Sequence, residues 1–426
     1  MSFPANTPPL PTPEPEPAAN APAARPDSPA FLPEVISSPP TDLGFAQLEQ
    51  PEPPRWRTYT LHGGLFLLTL LTTTLAGVQL TRGELGLLPL GFGPFPALPA
   101  PAEWGRGLTF AACFLGVLTV HEFGHYFTAR WNRVRSSLPY FIPFPLGLGT
   151  FGAVIRLRER LFSRREVFDI GLAGPLAGFV VAVAVLVYGF MSLPPLEEYL
   201  FRIHPEYARF GSAYGQFVYD SQSQSDGLAL AKPLLYQLLE RAFADPTRLP
   251  HPRELLHFPV LLAGALSLFF TALNLLPIGQ LDGGHILYGL LGHRRFNRLS
   301  TLFFTGFIFY AGLGLFSLAT DAETWLYWGA PYALYLFVVF RRVLPGRRRA
   351  LLLGAAVWLA QLAAALAWPG ILGNPGWLVF GLVLSRLTGI YHPPAPDETP
   401  LSPGRRVLGW VLIAIFVLCF TPSPFK

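Results

Sequence analysis

The chain has 426 residues, of which 51% are hydrophobic and only 13% charged, with a formal net charge of +5 and a mean hydropathy of +0.39. Soluble globular proteins carry about 25% charged residues, so this composition excludes an ordinary soluble domain and predicts a polytopic membrane protein embedded in a lipid bilayer. The positive balance sits mostly in arginine clusters between apolar runs, as positive-inside loops do, which excludes nucleic-acid binding as its explanation. The two cysteines, Cys113 and Cys419, lie in apolar runs without C-x-x-C spacing, so neither a disulfide framework nor a thiolate metal site is expected.

Residues 1–57 are rich in Pro and Ala with few large apolar side chains, a composition that cannot bury enough surface to fold. A disordered, solvated cytoplasmic tail is expected there, with no cleavable signal peptide. Apolar segments follow at 59–81, 107–129, 167–190, 257–276, 300–319, 325–340, 350–368, 371–388 and 407–421. The expected fold is therefore all-α, with about nine transmembrane helices. Arginine clusters at 55–57, 130–135, 156–165, 294–298 and 341–349 all fall on one side if the N-terminus is cytoplasmic.

Two connections are not ordinary loops. Residues 138–155 (LPYFIPFPLGLGTFGAVI) are too apolar for a solvated linker and too rich in Pro and Gly for a spanning helix. They predict a re-entrant, extended hairpin near the site, lying against protein because lipid cannot satisfy open backbone. Its edge could take an extended peptide by strand addition. Residues 191–255 are long and mixed in charge, with an amphipathic helix expected at 227–243.

The second apolar segment ends in His121-Glu122-Phe123-Gly124-His125. Residues four apart share a helix face, so the two imidazoles can aim at one point with Glu122 beside it. This H-E-x-x-H spacing supplies two zinc ligands and a carboxylate able to act as general base. Ionisable residues inside an apolar span are costly and mark functional sites. A catalytic zinc needs a third protein ligand, and the stretch Asn274 to His285 (NLLPIGQLDGGH) offers Asp282 at the same bilayer level. Asp282 would equally suit the N-cap of a helix over 283–291. His285 is the weaker candidate, structural or supporting, and Asn274 could hydrogen-bond at the site.

These two motifs together resemble the site-2 proteases, intramembrane zinc metalloproteases that pair HExxH with N-x-x-P-x-x-x-(L)DG on another helix. The resemblance implies His121, His125 and Asp282 as ligands of one zinc per chain, Glu122 as the catalytic acid/base, and Asn274 as a substrate-binding residue. It extends to Gly171-Leu172-Ala173-Gly174-Pro175-Leu176-Ala177-Gly178, which in that family packs beside the catalytic helix, and to GTFGA at 149–153 and His392-Pro393-Pro394. It is similar to the compact subgroup of bacteria and plastids, without an inserted PDZ-like stretch. It implies a transmembrane protein substrate, a bacterial inner-membrane location, a catalytic core over 58–292 and added C-terminal helices over 293–426. The alternatives of other classes are a catalytically silent scaffold and a metal transporter. The latter would place ligands on several helices, and beyond this one cluster the sequence offers none.

Overall fold

A computed structural model describes residues 54–83, 99–220 and 230–424. The expectation of a disordered tail over 1–57 falls almost wholly outside these residues. Apart from Pro54, the described residues belong to one compact unit, Arg55–Lys426.

The molecule is mostly helical. Helices α1 (Arg55–Thr81) and α2 (Pro101–Trp131) lead into an antiparallel pair of strands, β1 (Tyr140–Pro143) and β2 (Thr150–Val154), followed by α3 (Arg164–Met191). The long connection after α3 holds α4 (Leu196–Ile203), a 3-10 helix at Pro205–Ala213, α5 (Leu234–Phe243) and a second 3-10 helix at Pro252–His257. Then come α6 (Pro259–Asn274), α7 (Asp282–Leu291), α8 (His293–Ala311), α9 (Ala322–Phe340), α10 (Arg347–Ala367), α11 (Gly376–Val383) and α12 (Pro403–Cys419). Each of the nine apolar segments overlaps one of these helices. Among the described residues α1, α2, α3 and α10 are long and apolar enough to cross a membrane, whereas α6 and Gly376–Thr388 are apolar but shorter. Large apolar side chains such as Leu67, Val180 and Leu359 face outward and exposed, as expected of a protein whose solvent is lipid. This is a membrane protein.

Local chemistry sets the helix starts. Ser163 accepts from the Glu166 backbone N–H at 3.1 Å, and Glu166 accepts in return from the Ser163 N–H at 3.3 Å, so a capping box opens α3. Glu103 near the start of α2 accepts from the Ala100 N–H and pairs with Arg82 at 2.7 Å, tying the exit of α1 to the entrance of α2.

Two apolar cores follow. Phe110, Phe114, Leu186, Phe190, Leu261 and Leu262 join α2, α3 and α6. Phe304, Ile308, Leu336 and Phe340 join α8 to α9, and Ile278 from the α6–α7 turn is buried with them. Burial of Ile278 anchors that turn on the C-terminal helices. The Gly279 N–H donates to Ser300 Oγ at 2.9 Å, and Ser300 donates to the Ile390 carbonyl at 2.7 Å. Gly279 has φ +60°, and a Cβ there would lie 1.9 Å from the Gly389 carbonyl oxygen, so only glycine fits. Arg405 of α12 forks onto Asp169 of α3 at 2.7 and 3.0 Å. Arg164 departs from the expectation of a loop charge: it is buried, and its Nε donates to the Gly289 carbonyl at 2.9 Å, joining α3 to α7.

Candidate metal centre

Helix α2 runs through the H-E-x-x-H pentapeptide, so His121 and His125 share a face and are both buried. Their Nε2 atoms are 3.1 Å apart. The His125 Nδ1 lies 2.7 Å from the Ile170 carbonyl oxygen of α3. An Nδ1 so placed donates its proton, which leaves Nε2 with its lone pair toward the cleft.

Close helix packing makes this possible. A Cβ on Gly174 would sit 2.1 Å from His125 Nε2, and one on Gly124 would sit 2.6 Å from the Ala173 carbonyl oxygen. The small-residue face of α3 is therefore the floor on which both histidines rest.

Asp282 comes from the other motif. Helix α6 ends at Asn274, the chain turns through Pro277 and Gly279, and α7 opens at Asp282. The N-cap position is Leu281, with no side-chain cap bond, so Asp282 does not serve the cap. Its Oδ2 lies instead 3.3 Å from His121 Nε2 and 3.4 Å from His125 Nε2. Donor separations of 3.1, 3.3 and 3.4 Å match the edge of a tetrahedron with bonds of about 2.0–2.1 Å, and a pair of imidazoles with one carboxylate is a set that zinc takes. These residues fit the metal.

The triad lines a cleft of about 460 Å³ together with Glu122, Asn274, Gln280 and β2 residues Phe151 to Val154. Glu122 is buried at 7% exposure and lines the cleft beside Ile155. Asn274 places Nδ2 3.5 Å from His121 Nε2. His285 lines the cleft but stands outside the triad; its Nδ1 is 3.0 Å from His392 Nε2. His392 in turn stacks on Tyr288 with ring centroids 3.9 Å apart. The His285–His392 pair is 107 residues apart in the chain, and no spacing rule reveals it. The only sequence signal was the His-Pro-Pro run itself.

Two histidines one turn apart, an aspartate from a second helix and a glutamate facing the same cleft define a candidate metallohydrolase centre built inside a helical membrane protein. Comparison with known proteins agrees. Residues 109–318 match the model described as Peptidase family M50. The chain thus carries a domain of the M50, or site-2 protease, family. Over 303 residues it is 30% identical to "Probable zinc metalloprotease EGY1, chloroplastic" of Arabidopsis thaliana, covering 69% of this chain and 49% of that protein. The rice (Oryza sativa subsp. japonica) protein of the same name is 29% identical, covering 69% of this chain and 46% of its own length. "Probable zinc metalloprotease EGY2, chloroplastic" of Oryza sativa subsp. indica is 28% identical over 60% of this chain and 41% of its own length. The chain spans about half the length, or less, of these curated relatives. No solved structure matches.

Proposed function

We propose that this protein is an intramembrane zinc metalloendopeptidase that hydrolyses peptide bonds in or near transmembrane segments of other membrane proteins. The observation that carries the reading is the convergence of His121, His125 and Asp282 beside Glu122 in a cleft walled by an open strand edge.

In this reading His121, His125 and Asp282 hold the zinc and leave the cleft side for water and substrate. When bound, the metal supplies Lewis acidity that makes water a competent nucleophile near neutral pH. Glu122 takes the proton of the attacking water and returns it to the leaving amine. Strand β2 pairs on one side with β1, through Tyr140–Val154 and Phe141–Ala153. Its residues also line the cleft, so its second edge can pair with a substrate unwound into extended form. Unwinding is required because the carbonyls of a helical substrate are already hydrogen-bonded and enclosed. Asn274, at the cleft wall, supplies a side-chain amide to that extended backbone.

The hairpin is proposed to be re-entrant. Along α1 it contacts residues from His62, whose Nδ1 is 2.9 Å from the Pro139 carbonyl oxygen, to Thr72, whose hydroxyl donates to the Gly149 carbonyl at 2.6 Å. Ten residues of helix rise about 15 Å, so the hairpin runs deep along a candidate span. The count of about nine spans, the catalytic core over 58–292 and the C-terminal helices over 293–426 are parts of the same proposal. The cytoplasmic N-terminus and the bacterial inner membrane rest on charge placement and resemblance; the curated relatives are named chloroplastic and do not support that compartment.

The test is cleavage of a single-span model substrate co-reconstituted with the full chain, for wild type and Asp282→Ala, with zinc counted in both. Cleavage by wild type, lost together with zinc in the variant, is expected. Equal cleavage by a zinc-free Asp282→Ala protein would overturn the reading.

A further inference from the structure

We propose that His204, Glu254 and His257 form a second metal site, structural rather than catalytic, that takes a zinc-type divalent transition ion at the far end of α6 from the cleft. The three residues bring one donor atom each to a common point. His204 Nε2 and His257 Nε2 are 3.2 Å apart, His257 Nε2 is 3.2 Å from Glu254 Oε2, and His204 Nε2 is 3.8 Å from the same oxygen. Glu254 is 2% exposed and His257 6%.

The outward atoms of all three residues are already engaged. His257 Nδ1 lies 2.7 Å from the Thr81 carbonyl oxygen, and His204 Nδ1 lies 3.1 Å from Glu206 Oε1. Facing acceptors, both Nδ1 atoms carry the ring proton, and each Nε2 is left with a lone pair. The Tyr219 hydroxyl donates to the other carboxylate oxygen of Glu254. Three lone-pair atoms therefore face one another in a largely buried space, an arrangement that repels unless a shared proton or a metal cation stands between them. Imidazole nitrogen with carboxylate oxygen is a donor set suited to zinc and its neighbours.

The site lies apart from the cleft. His257 is two residues before the start of α6, and Asn274, at its other end, approaches His121. Sixteen residues of helix span about 24 Å. An ion here would join the segment after α4 to the 3-10 helix before α6, with Thr81 at the end of α1 held through His257. That is a staple for the long connection between α3 and α6, whose described helices are all short.

The test is metal content of the tag-free full chain purified in detergent with zinc supplied, then dialysed. Two zinc ions per chain are expected in wild type. One is expected in the His121→Ala/His125→Ala double variant, which leaves the second cluster untouched, and one in His204→Ala, which removes the partly exposed ligand. One zinc in wild type and none in the double variant would overturn the second site while leaving the cleft centre standing. Two zinc ions persisting in His204→Ala would also overturn it, because the second ion would then lie elsewhere.

Discussion

The two triads of this molecule, each a pair of histidines with one carboxylate, offer nearly the same donor spacing in opposite settings. In the cleft, His121 and His125 come from one turn of a single long helix and Asp282 from the start of another, with Glu122 on the open side. At the other end of α6, Glu254 and His257 come from a 3-10 helix and His204 from a loop. Aromatic groups close over them, with Tyr207 stacked on His204 at 4.6 Å and Tyr219 bonded to Glu254. A donor set alone does not make an enzyme. What separates the two is a spare carboxylate, a strand edge and room for a peptide at the first, and hydrogen-bonded, ring-covered ligands at the second.

That contrast can be broken or sharpened by substitution. The largest effect belongs to the His121→Ala/His125→Ala variant. Cleavage of a single-span substrate should fall to background with the cleft zinc lost, and proteolytic resistance of the α3–α6 connection should be unchanged. Next comes Gly174→Ala, whose methyl group cannot coexist with His125 in its present place. Overpacking of this kind costs about 1–3 kcal/mol, and here the displaced group is a proposed zinc ligand. Cleavage should drop by at least about tenfold, with weaker zinc retention measured by chelator competition. The His204→Ala variant should show the converse: faster tryptic cutting between α3 and α6, with substrate cleavage within about threefold of wild type, less than ~0.7 kcal/mol of barrier. The smallest effect is expected for His392→Ala. It removes the partner of His285, which lines the cleft outside the triad, so activity should fall by less than about threefold with zinc kept and the α3–α6 connection as resistant as in wild type.

The cleft was legible in the sequence because its chemistry is written in short motifs. Residues 121 and 125 carry helical spacing, and Pro277, Gly279 and Asp282 mark a broken helix followed by a carboxylate. The strands at Tyr140–Pro143 and Thr150–Val154 were signalled by an apolar run punctuated with Pro and Gly. Long-range pairings that no motif marks were not legible. His204 is 53 residues from His257, and nothing in a mixed-charge connection announces that a fold will bring them together. Among the described residues a second group of candidate ligands therefore joins the one the motifs point to. The same holds for Arg164, which reads as a loop charge and is in fact consumed by the Gly289 carbonyl. The C-terminal helices had no assigned role in the sequence. Ile278, Ser300 and the approach of Gly389 to Gly279 show that they hold the turn that presents Asp282.

The central claim is that the cleft triad hydrolyses peptides with Glu122 as its base, and Glu122→Gln tests it most directly. Wild type and variant would be reconstituted with a single-span substrate, and cleavage rate and zinc content measured on the same samples. The account predicts that the variant keeps its full zinc and loses about 10²–10⁴-fold in rate. Cleavage by a fully zinc-loaded Glu122→Gln protein at the wild-type rate would contradict it.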